Sequence, residues 1–505
     1  MAKIRWAVLG VTVVAAAAVV ASACTTREAS SSGPGTMRVG LGAPARPTPG
    51  SGINYVVSAM TTEPWLTNQP NGRVADRVVR EWTWDEAGTT LFLKLRNGVR
   101  FHDGTLLTAP ISAEALQLAV KGAEAPSLST VQSIRALDND TVALKLSEPN
   151  SFLLSDLSLV SVRQPGDPKG SIGTGPFRVL SRTEEQVVLE AFPQYYRGRP
   201  ALQQIVLRNY PTQRNAWAAL MRGQIDMLFN ISREAVDFVA AETTIKTYSS
   251  PNPYYTVLAF NERHPILKNR EVRRALNYAL DKTALVRDGL RGHGRPADGP
   301  LVPEHWAYAP PPDPFVYDPA AARARLDAAG FPMRPGTGGR MPSRLSFTCI
   351  VVDDPRFERL AILVQKQLAD IGVDMVLEPW PMRDFVGRVQ TGEFDAFLVE
   401  MAGHSLNWVY DFWRSRENGR AITGYTSANA VLDRIRTART DEEVKAGVVE
   451  MVRILHEDPP AAFLAWQQTF RAVSERFDVG SEPDRDIVRN LWQWRVAPTS
   501  QRAAR

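Results

Sequence analysis

Two kinds of hydrophobic periodicity occur side by side in this chain of 505 residues. Apolar residues alternate with other residues at 91–95 (LFLKL) and 142–146 (VALKL), which is typical of strands with one buried face. They instead recur every three or four positions at 272–283 and 361–368, as in amphipathic helices. The mixture predicts an α/β or α+β fold, and the length predicts two to four domains because one core of ordinary size does not serve so long a chain.

The amino-terminal segment differs from the rest. Basic residues precede an apolar stretch from Trp6 to Val20, and small residues then lead to Cys24. Because this stretch of about 15 residues is shorter than the roughly 20 that a membrane-spanning helix needs, it predicts a signal peptide over residues 1–24. A permanent membrane anchor is the alternative. The small, polar residues 25–36 predict a flexible tether.

The run that ends at Cys24 resembles a bacterial lipobox, although Ala21 stands where leucine is usual. The resemblance implies that Cys24 is acylated and becomes the mature amino terminus. Plain secretion, with Cys24 as an incidental small residue, is the alternative. Both interpretations predict an extracytoplasmic location, in the periplasm or at the outer face of the cytoplasmic membrane.

Composition excludes several kinds of site and partner. The only other cysteine is Cys349, so cysteine-rich zinc or iron–sulfur sites are excluded. The six histidines show no short metal-ligand spacing, and we predict neither a metal site nor a cofactor. The net charge of +5 comes without a dense basic run interleaved with aromatics, so we expect no nucleic-acid partner.

A series of turn-rich phrases carries a family resemblance. The first, at 84–109, reads WDEAGTTLFLKLRNGVRFHDGTLLTA and contains Asn-Gly and Asp-Gly turn pairs. Others follow in order: DNDTV at 138–142, GTGPF at 173–177, YYRGRP at 195–200, GQID at 223–226 and VRRALNYALDK at 272–282. Together they resemble the peptide- and nickel-binding family of periplasmic solute-binding proteins, over residues 37–480.

The resemblance implies a two-lobed fold with an inserted subdomain and a ligand cleft between the lobes. It also implies a monomer. The predicted ranges are 37–66, 172–251 and 467–500 for lobe I, 67–171 for the insert, and 252–466 for lobe II.

No catalytic motif was found in the sequence. It contains no nucleophile elbow, no H-E-x-x-H pair, no S-x-x-K and K-T-G set, and no phosphate-binding loop. We therefore expect the chain itself to catalyse nothing.

Candidate ligand-binding residues lie in three places. In peptide-binding relatives, a carboxylate in a phrase like W-x-x-D-Y-x-D-P neutralises the ligand's amino terminus, but residues 404–415 read HSLNWVYDFWRS and lack that phrase. Asp411 replaces the carboxylate, or it caps a helix or pairs with Arg414. The tryptophans line the cleft or pack in the core. The full set is Glu63 and Trp65 at the cleft rim, Tyr254 where the chain crosses between lobes, and His404, Asn407, Trp408, Tyr410, Asp411 and Trp413.

The resemblance implies a solute-binding lipoprotein of an ABC importer, which closes around a peptide or peptide-like molecule and delivers it to the permease. The membrane would be touched only through the lipid anchor. One alternative is an interaction module that keeps the fold without transport, which the altered phrase at 404–415 favours. The other is an extracytoplasmic hydrolase whose catalytic groups converge only in space.

Overall fold

The computed structural model describes residues 35–42, 52–122, 125–167, 172–336, 342–415, 422–480 and 487–498. The predicted signal peptide, Cys24 and residues 25–34 of the predicted tether lie outside these ranges. Thr36, the last residue of the predicted tether, is buried and begins the first strand. Among the helices described, none has both the length and the apolar character needed to cross a membrane.

Strands and helices are mixed along the whole chain, as the two periodicities predict. The first elements are β1 (Thr36–Gly42), α1 (Gly52–Thr61), β2 (Leu66–Asn68), β3 (Val74–Asp76), β4 (Val79–Trp84), β5 (Thr90–Leu95), α2 (Ala109–Lys121), β6 (Val131–Ala136), β7 (Thr141–Leu146) and α3 (Leu153–Leu157). Then follow β8 (Phe177–Arg182), β9 (Gln186–Ala191), β10 (Gln204–Tyr210), α4 (Gln213–Met221), β11 (Met227–Leu228), α5 (Arg233–Ala240), β12 (Ile245–Phe260), α6 (Arg270–Tyr278), α7 (Lys282–Ala284) and β13 (Gly294–Pro296).

The carboxy-terminal part contains α8 (Pro319–Ala328), β14 (Leu345–Val352), α9 (Pro355–Ala369), β15 (Val373–Trp380), α10 (Met382–Thr391), β16 (Ala396–Ala402), α11 (Leu406–Trp413), α12 (Asn429–Thr437), α13 (Asp441–Glu457), β17 (Ala461–Ser474), β18 (Phe477–Asp478) and β19 (Arg495–Val496). The names lobe I, insert and lobe II are kept for the ranges predicted above, and those boundaries stay a prediction.

One large sheet runs through both lobes in the order β15-β14-β16-β12-β17-β11-β1-β10-β9-β8, with β13 also paired to β17. The long strands β12 and β17 are antiparallel and cross from one lobe to the other. Ile245 pairs with Ser474 at the lobe I end, and Ala259 pairs with Ala461 at the lobe II end. The register shifts between Pro251 and Tyr255. The two lobes are therefore joined through paired backbone at the centre of the sheet.

The insert has its own sheet, β4-β5-β7-β6, and its own core. The alternation predicted at 91–95 and 142–146 is confirmed, because the leucines of β5 and the apolar residues of β7 are buried on one face. In lobe II the predicted helical face is confirmed over its first part, but α6 ends at Tyr278, and Thr283, at the end of the predicted stretch, is exposed. Val272, Ala275 and Leu276 of α6 are buried in the lobe II core.

The GTGPF phrase joins the insert to lobe I. A Cβ atom on Gly173 would lie 2.1 Å from the carbonyl oxygen of Thr61, so only glycine allows this close approach. The Gly173 amide donates to Nδ1 of His102 at 3.3 Å, and Nε2 of His102 lies 3.1 Å from the Gly175 carbonyl oxygen. Burial lowers the pKa of His102 to about 4, so its imidazole is neutral at pH 7. The phrase is thus a structural joint.

Candidate functional site

A polar surface occupies one face of the large sheet where the two lobes meet. Neighbouring side chains on a strand point to opposite faces, and directly paired residues share a face. Thr256 of β12 pairs with Glu400 of β16, and the side chains of Glu400 and Gln467 touch across the strands. We call Tyr254, Thr256, Glu400 and Gln467 the inter-lobe face. The opposite face, which includes Tyr255, Met401 and Trp466, lies in the lobe II core.

Hydrogen bonds connect three members of the inter-lobe face. The Gln467 Nε2 donates to Oγ1 of Thr256 at 2.7 Å and also to Oε1 of Glu400. Gln467 is only 3 % exposed. Its Oε1 has no hydrogen-bond partner among the described residues. A buried amide oxygen without a donor is unfavourable by about 1–3 kcal/mol, so this position favours an incoming hydrogen-bond donor.

Lobe I faces this surface with two side chains. The guanidinium of Arg233, at the start of α5, lies 3.7 Å from Oε1 of Glu400. Tyr55 of α1 is half exposed and lies close to Tyr254, which is 42 % exposed. Burial, followed by Tyr55 and Glu400, raises the pKa of the Tyr254 phenol. The predicted cleft residue Tyr254 therefore lies between the lobes.

A separate cavity of about 510 Å³ lies between the insert and lobe II, and no residue of the inter-lobe face lines it. The cleft was predicted between lobe I and lobe II, whereas this cavity is lined by the following groups: residues 72–74, 84–86, 88, 149–152 and 154–155 of the insert, and residues 305–306, 405–407, 438–441 and 443–444 of lobe II. Ser405 and Asn407, which line the cavity, follow the end of β16 at Ala402 in the chain. A cavity of this size suits a small ligand.

The turn between β2 and β3 contacts lobe II at the cavity wall, and we call this contact the clasp. The Trp306 amide donates to the Asn71 carbonyl at 2.8 Å, and the Arg73 guanidinium lies 3.6 Å from the centre of the Trp306 ring. Gly72 has φ +74°, and a Cβ there would lie 2.1 Å from the His305 ring. Burial lowers the pKa of His305 to about 3, with smaller effects from His404 and Arg73. A neutral imidazole therefore packs against the turn.

A buried hydrogen bond also links the insert to lobe II. The Asn407 side-chain amide donates to Oδ1 of Asp156, which is completely buried. The other oxygen of Asp156 accepts from the Ser127 amide at 2.9 Å. Phe152 of the insert lies within the lobe II core, with its ring centre 5.5 Å from that of Tyr410. The structure is thus closed between these two parts.

Two residues predicted at the cleft rim are buried elsewhere, which corrects those predictions. Glu63 is 1 % exposed and forms an ion pair with Arg77 at 2.7 Å, and the Tyr195 hydroxyl donates to it at 2.7 Å. Burial raises the pKa of Glu63, against the effects of Arg77 and the tyrosines. Trp65 packs in the core of the insert. Both side chains join the insert to its surroundings and face no open cleft.

The predicted residues of 404–413 divide into two groups. Asn407 lines the cavity, whereas His404 is half-buried and lies near His305, a residue of the cavity wall. The prediction that Trp413 lines the cleft is corrected, because its ring lies in the lobe II core and its Nε1 donates to the Tyr255 hydroxyl at 3.1 Å.

The remaining three lie on α11. Trp408 is half-buried and stacks on Phe412, with ring centres 5.8 Å apart. The Tyr410 hydroxyl donates to Asp433 at 2.8 Å. Asp411 is half-buried, and Arg414, its suggested partner, forms an ion pair with Asp433 at 3.0 Å. Their role in ligand binding stays a prediction.

Sequence reasoning missed Glu400 and Gln467. A signal existed for Glu400, which is the single charged residue in the apolar strand AFLVEMA at 396–402. It also missed the clasp formed by Arg73 and Trp306, for which the sequence carries no local signal. In the part of the chain that the structure describes, no group of three or more histidine, cysteine, aspartate or glutamate side chains could hold a metal ion.

The chain is similar to several curated proteins. It is 26 % identical over 452 residues to the oligopeptide-binding protein AppA of Bacillus subtilis, covering 82 % of each chain. It is 28 % identical over 275 residues to the glutathione-binding protein GsiB of Escherichia coli, an alignment that covers 50 % of this chain and 53 % of GsiB.

Solved structures show the same fold. NikA from Brucella suis, in complex with Fe(III)-EDTA, has a TM-score of 0.80 at 20 % identity, covering 92 % of this chain and all of NikA. AppA bound to a nonapeptide has a TM-score of 0.74 at 21 % identity, covering 92 % and 99 % of the two chains. The predicted two-lobed fold is confirmed.

The model of the bacterial extracellular solute-binding proteins, family 5 Middle, matches residues 73–421, which is more than half of the chain. This match confirms the family predicted from the turn phrases, and with it the prediction of a solute-binding protein. The chain belongs to the bacterial extracellular solute-binding proteins of family 5.

Proposed function

We propose that this protein is the solute-binding lipoprotein of an ABC importer and that it captures a peptide or peptide-like molecule where lobe I, the insert and lobe II meet. The observation that carries the proposal is the inter-lobe face. A carboxylate, an amide and a half-exposed tyrosine lie on strands of the central sheet and face lobe I. Core strands rarely carry such groups without a polar partner.

The relatives support a ligand that contains amides. AppA is an oligopeptide-binding protein and GsiB is a glutathione-binding protein, as their names state. The cavity of about 510 Å³ lies within the 300–1,000 Å³ that is typical of small-ligand sites. Its lining is polar in part, and it includes the ion pair between Arg73 and Asp441.

Transport follows from closure. The crossing strands β12 and β17 join the two lobes through paired backbone in the large sheet. A ligand that contacts both lobes stabilises the closed form in proportion to its differential affinity for that form. The permease then recognises the closed form. No covalent step is needed.

The lipid anchor places the protein at the outer face of the membrane. Acylated Cys24 would hold it there, with the polar residues that follow as a leash. Replacing Cys24 by alanine should move the protein from the membrane pellet to the soluble fraction and remove the lipid mass from the intact protein. If the wild-type protein carries no lipid mass, the proposal of a lipid anchor is wrong, and the alternative of plain secretion is favoured.

Native mass spectrometry and thermal denaturation of the purified protein test the binding function. We expect a co-purified ligand, or a rise in melting temperature with short peptides, because a ligand at 100 times its Kd stabilises by about 2.7 kcal/mol. A folded protein that responds to no peptide and no metal chelate would argue against solute capture. That result would favour an interaction module.

A further inference from the structure

We infer that the cavity between the insert and lobe II is a second binding site, for a neutral sugar. The inter-lobe face carries the proposed capture of a peptide, and no residue of that face lines the cavity, so the inference goes beyond the proposed function. Three properties of the lining support it: a tryptophan without a side-chain partner, polar groups that are paired but keep hydrogen-bonding capacity, and charges that have partners in the protein.

Trp84, at the end of β4, supplies an aromatic wall. It lines the cavity and is only partly buried against the core of the insert. In the part of the chain that the structure describes, its side chain has no hydrogen bond, no ring contact and no cation over its ring. Trp306 differs, because the Arg73 guanidinium lies over its ring and His305 is stacked against it. The C–H groups on one face of a sugar ring are apolar and pack on an indole such as that of Trp84.

The ion pair between Arg73 and Asp441 supplies donors and acceptors in the same cavity. Two guanidinium nitrogens donate to the two carboxylate oxygens. A guanidinium has five N–H donors, and a carboxylate oxygen accepts more than one hydrogen bond, so both groups keep capacity for a ligand. The two side chains are 40 % and 48 % exposed. A hydroxyl group both donates and accepts, so the neighbouring hydroxyls of a sugar complement the two members of this pair.

The other charged side chains of the cavity wall favour a neutral occupant. Asp85 accepts from the Thr89 amide at 2.8 Å, and Glu443 accepts from the Arg439 amide at 2.7 Å in the capping box of α13. The Arg439 guanidinium donates to the Glu86 carbonyl. Glu86 itself is exposed, so water solvates its carboxylate. A charged ligand would compete with these partners, whereas a neutral ligand leaves them in place.

The site spans a contact that can open. Arg73 belongs to the insert and Asp441 to lobe II, and both line the cavity. A sugar held between them must leave before the two parts separate, so bound sugar stabilises the closed form. The Ser151 amide donates to the Arg436 carbonyl across the same contact at 2.8 Å, and its hydrogen exchange therefore reports on opening.

The test is isothermal titration calorimetry of the purified protein with six neutral disaccharides: maltose, cellobiose, lactose, trehalose, sucrose and melibiose. We expect at least one to bind with a Kd below about 10 mM, the range that a few hydrogen bonds and one ring contact support. Oxidation of its primary hydroxyls to carboxylates should weaken binding about 10-fold or more. At ten times its Kd, the neutral sugar should slow exchange of the Ser151 amide about 11-fold.

Three variants locate the binding. Ala438→Trp places a large ring in the cavity and should abolish sugar binding. Ala87→Trp is the matched control, since Ala87 is exposed and does not line the cavity, and it should bind sugar as the wild type does. Trp84→Leu keeps an apolar side chain but removes the ring, and it should weaken binding about 10-fold.

The site would be overturned if none of the six disaccharides bound, if Ala438→Trp bound them with wild-type affinity, or if bound sugar left Ser151 exchange unchanged. The first and third results need no variant to fold. Tighter binding of the carboxylate form would show that the neutral class is wrong.

An enzymatic casein digest separates this inference from the proposed function. The digest should raise the melting temperature of the wild type and of Ala438→Trp equally, because peptide capture uses the inter-lobe face. If digest and sugar displace each other, the cavity is part of the peptide site and the second site is wrong. If sugar binds and the digest has no effect on the wild type, peptide capture is wrong and the sugar site stands.

Discussion

Replacing Asn407 by alanine should loosen the contact between the insert and lobe II. Asn407 is buried and donates its side-chain amide to Asp156 across that contact. Asp156 is completely buried, and within the described residues its carboxylate also accepts from Ser127 of the insert. After the replacement, one oxygen of a buried carboxylate loses its donor when the two parts are closed, whereas water satisfies it when they open.

The expected effect follows from that lost donor. A buried acceptor left unsatisfied is unfavourable by about 1–3 kcal/mol, which shifts the equilibrium between closed and open forms about 5- to 150-fold toward open. Closure should be weakened without being abolished, because Phe152 still buries its ring in the lobe II core. Phe152→Ala should add about 1.5–3 kcal/mol in the same direction, from the loss of that burial.

Hydrogen exchange at one amide reports on this contact directly. The Ser151 amide of the insert donates to the Arg436 carbonyl of lobe II at 2.8 Å, so opening exposes it to solvent. In the Asn407→Ala variant this amide should exchange about 5- to 150-fold faster. Tyr410→Phe is the matched control, because its hydroxyl donates to Asp433 inside lobe II and makes no bond across the contact.

The control should lower the stability of lobe II while leaving exchange at Ser151 unchanged relative to global unfolding. The reasoning would be refuted if Asn407→Ala left Ser151 exchange at the wild-type rate. It would also be refuted if both variants accelerated exchange only as much as they lowered the free energy of unfolding. In either case the insert and lobe II would form one permanent unit.

Two further predictions concern buried charges. Burial raises the pKa of Glu262 to about 7, against the pull of Arg273, so the native state holds a proton that the unfolded state releases near 4.5. The free energy of unfolding of the wild type should therefore fall as pH rises from about 4.5 to 7. In denaturant unfolding, the free energy of unfolding of Glu262→Gln should rise relative to that of the wild type by up to ~3 kcal/mol between pH 5 and 8. A difference that does not depend on pH would contradict this. Asp226 is buried between Arg38 at 2.8 Å and Arg476 at 3.0 Å. Asp226→Ala should lower the free energy of unfolding by about 3–5 kcal/mol and leave ligand affinity unchanged, and a variant with wild-type stability would show that the pairs contribute nothing.

The local elements were predictable because local physics determines them. The alternation in β5 and β7 and the apolar face of α6 follow from the repeat of the strand and of the helix. Asp226 and the glycines of the GTGPF phrase were recognised as motif positions, and the structure shows that they serve packing and ion pairing. Motif positions therefore identified the family through its structural joints.

Large aromatic residues were harder to place, since the same ring serves a core or a cleft. Trp65 and Trp413 were both candidates for the cleft, and both are buried in cores. What decides the outcome for Trp413 is the Tyr255 hydroxyl, which accepts its Nε1 hydrogen from a strand 158 residues away. Nothing near position 413 in the sequence indicates that partner.

The inter-lobe face shows the same limit at the site itself. Glu400 was visible as a lone charge in an apolar strand, but a lone charge does not say which face of the sheet it occupies or what faces it. That depends on the register of β16, β12 and β17. The bonds of Gln467 reach back 67 residues to Glu400 and 211 residues to Thr256. A shift of one residue in that register would turn Glu400 into the lobe II core and bring Met401 to the cleft. The carboxylate faces Arg233 of lobe I only because apolar neighbours such as Tyr255 and Trp466 fix the register from the other side of the sheet.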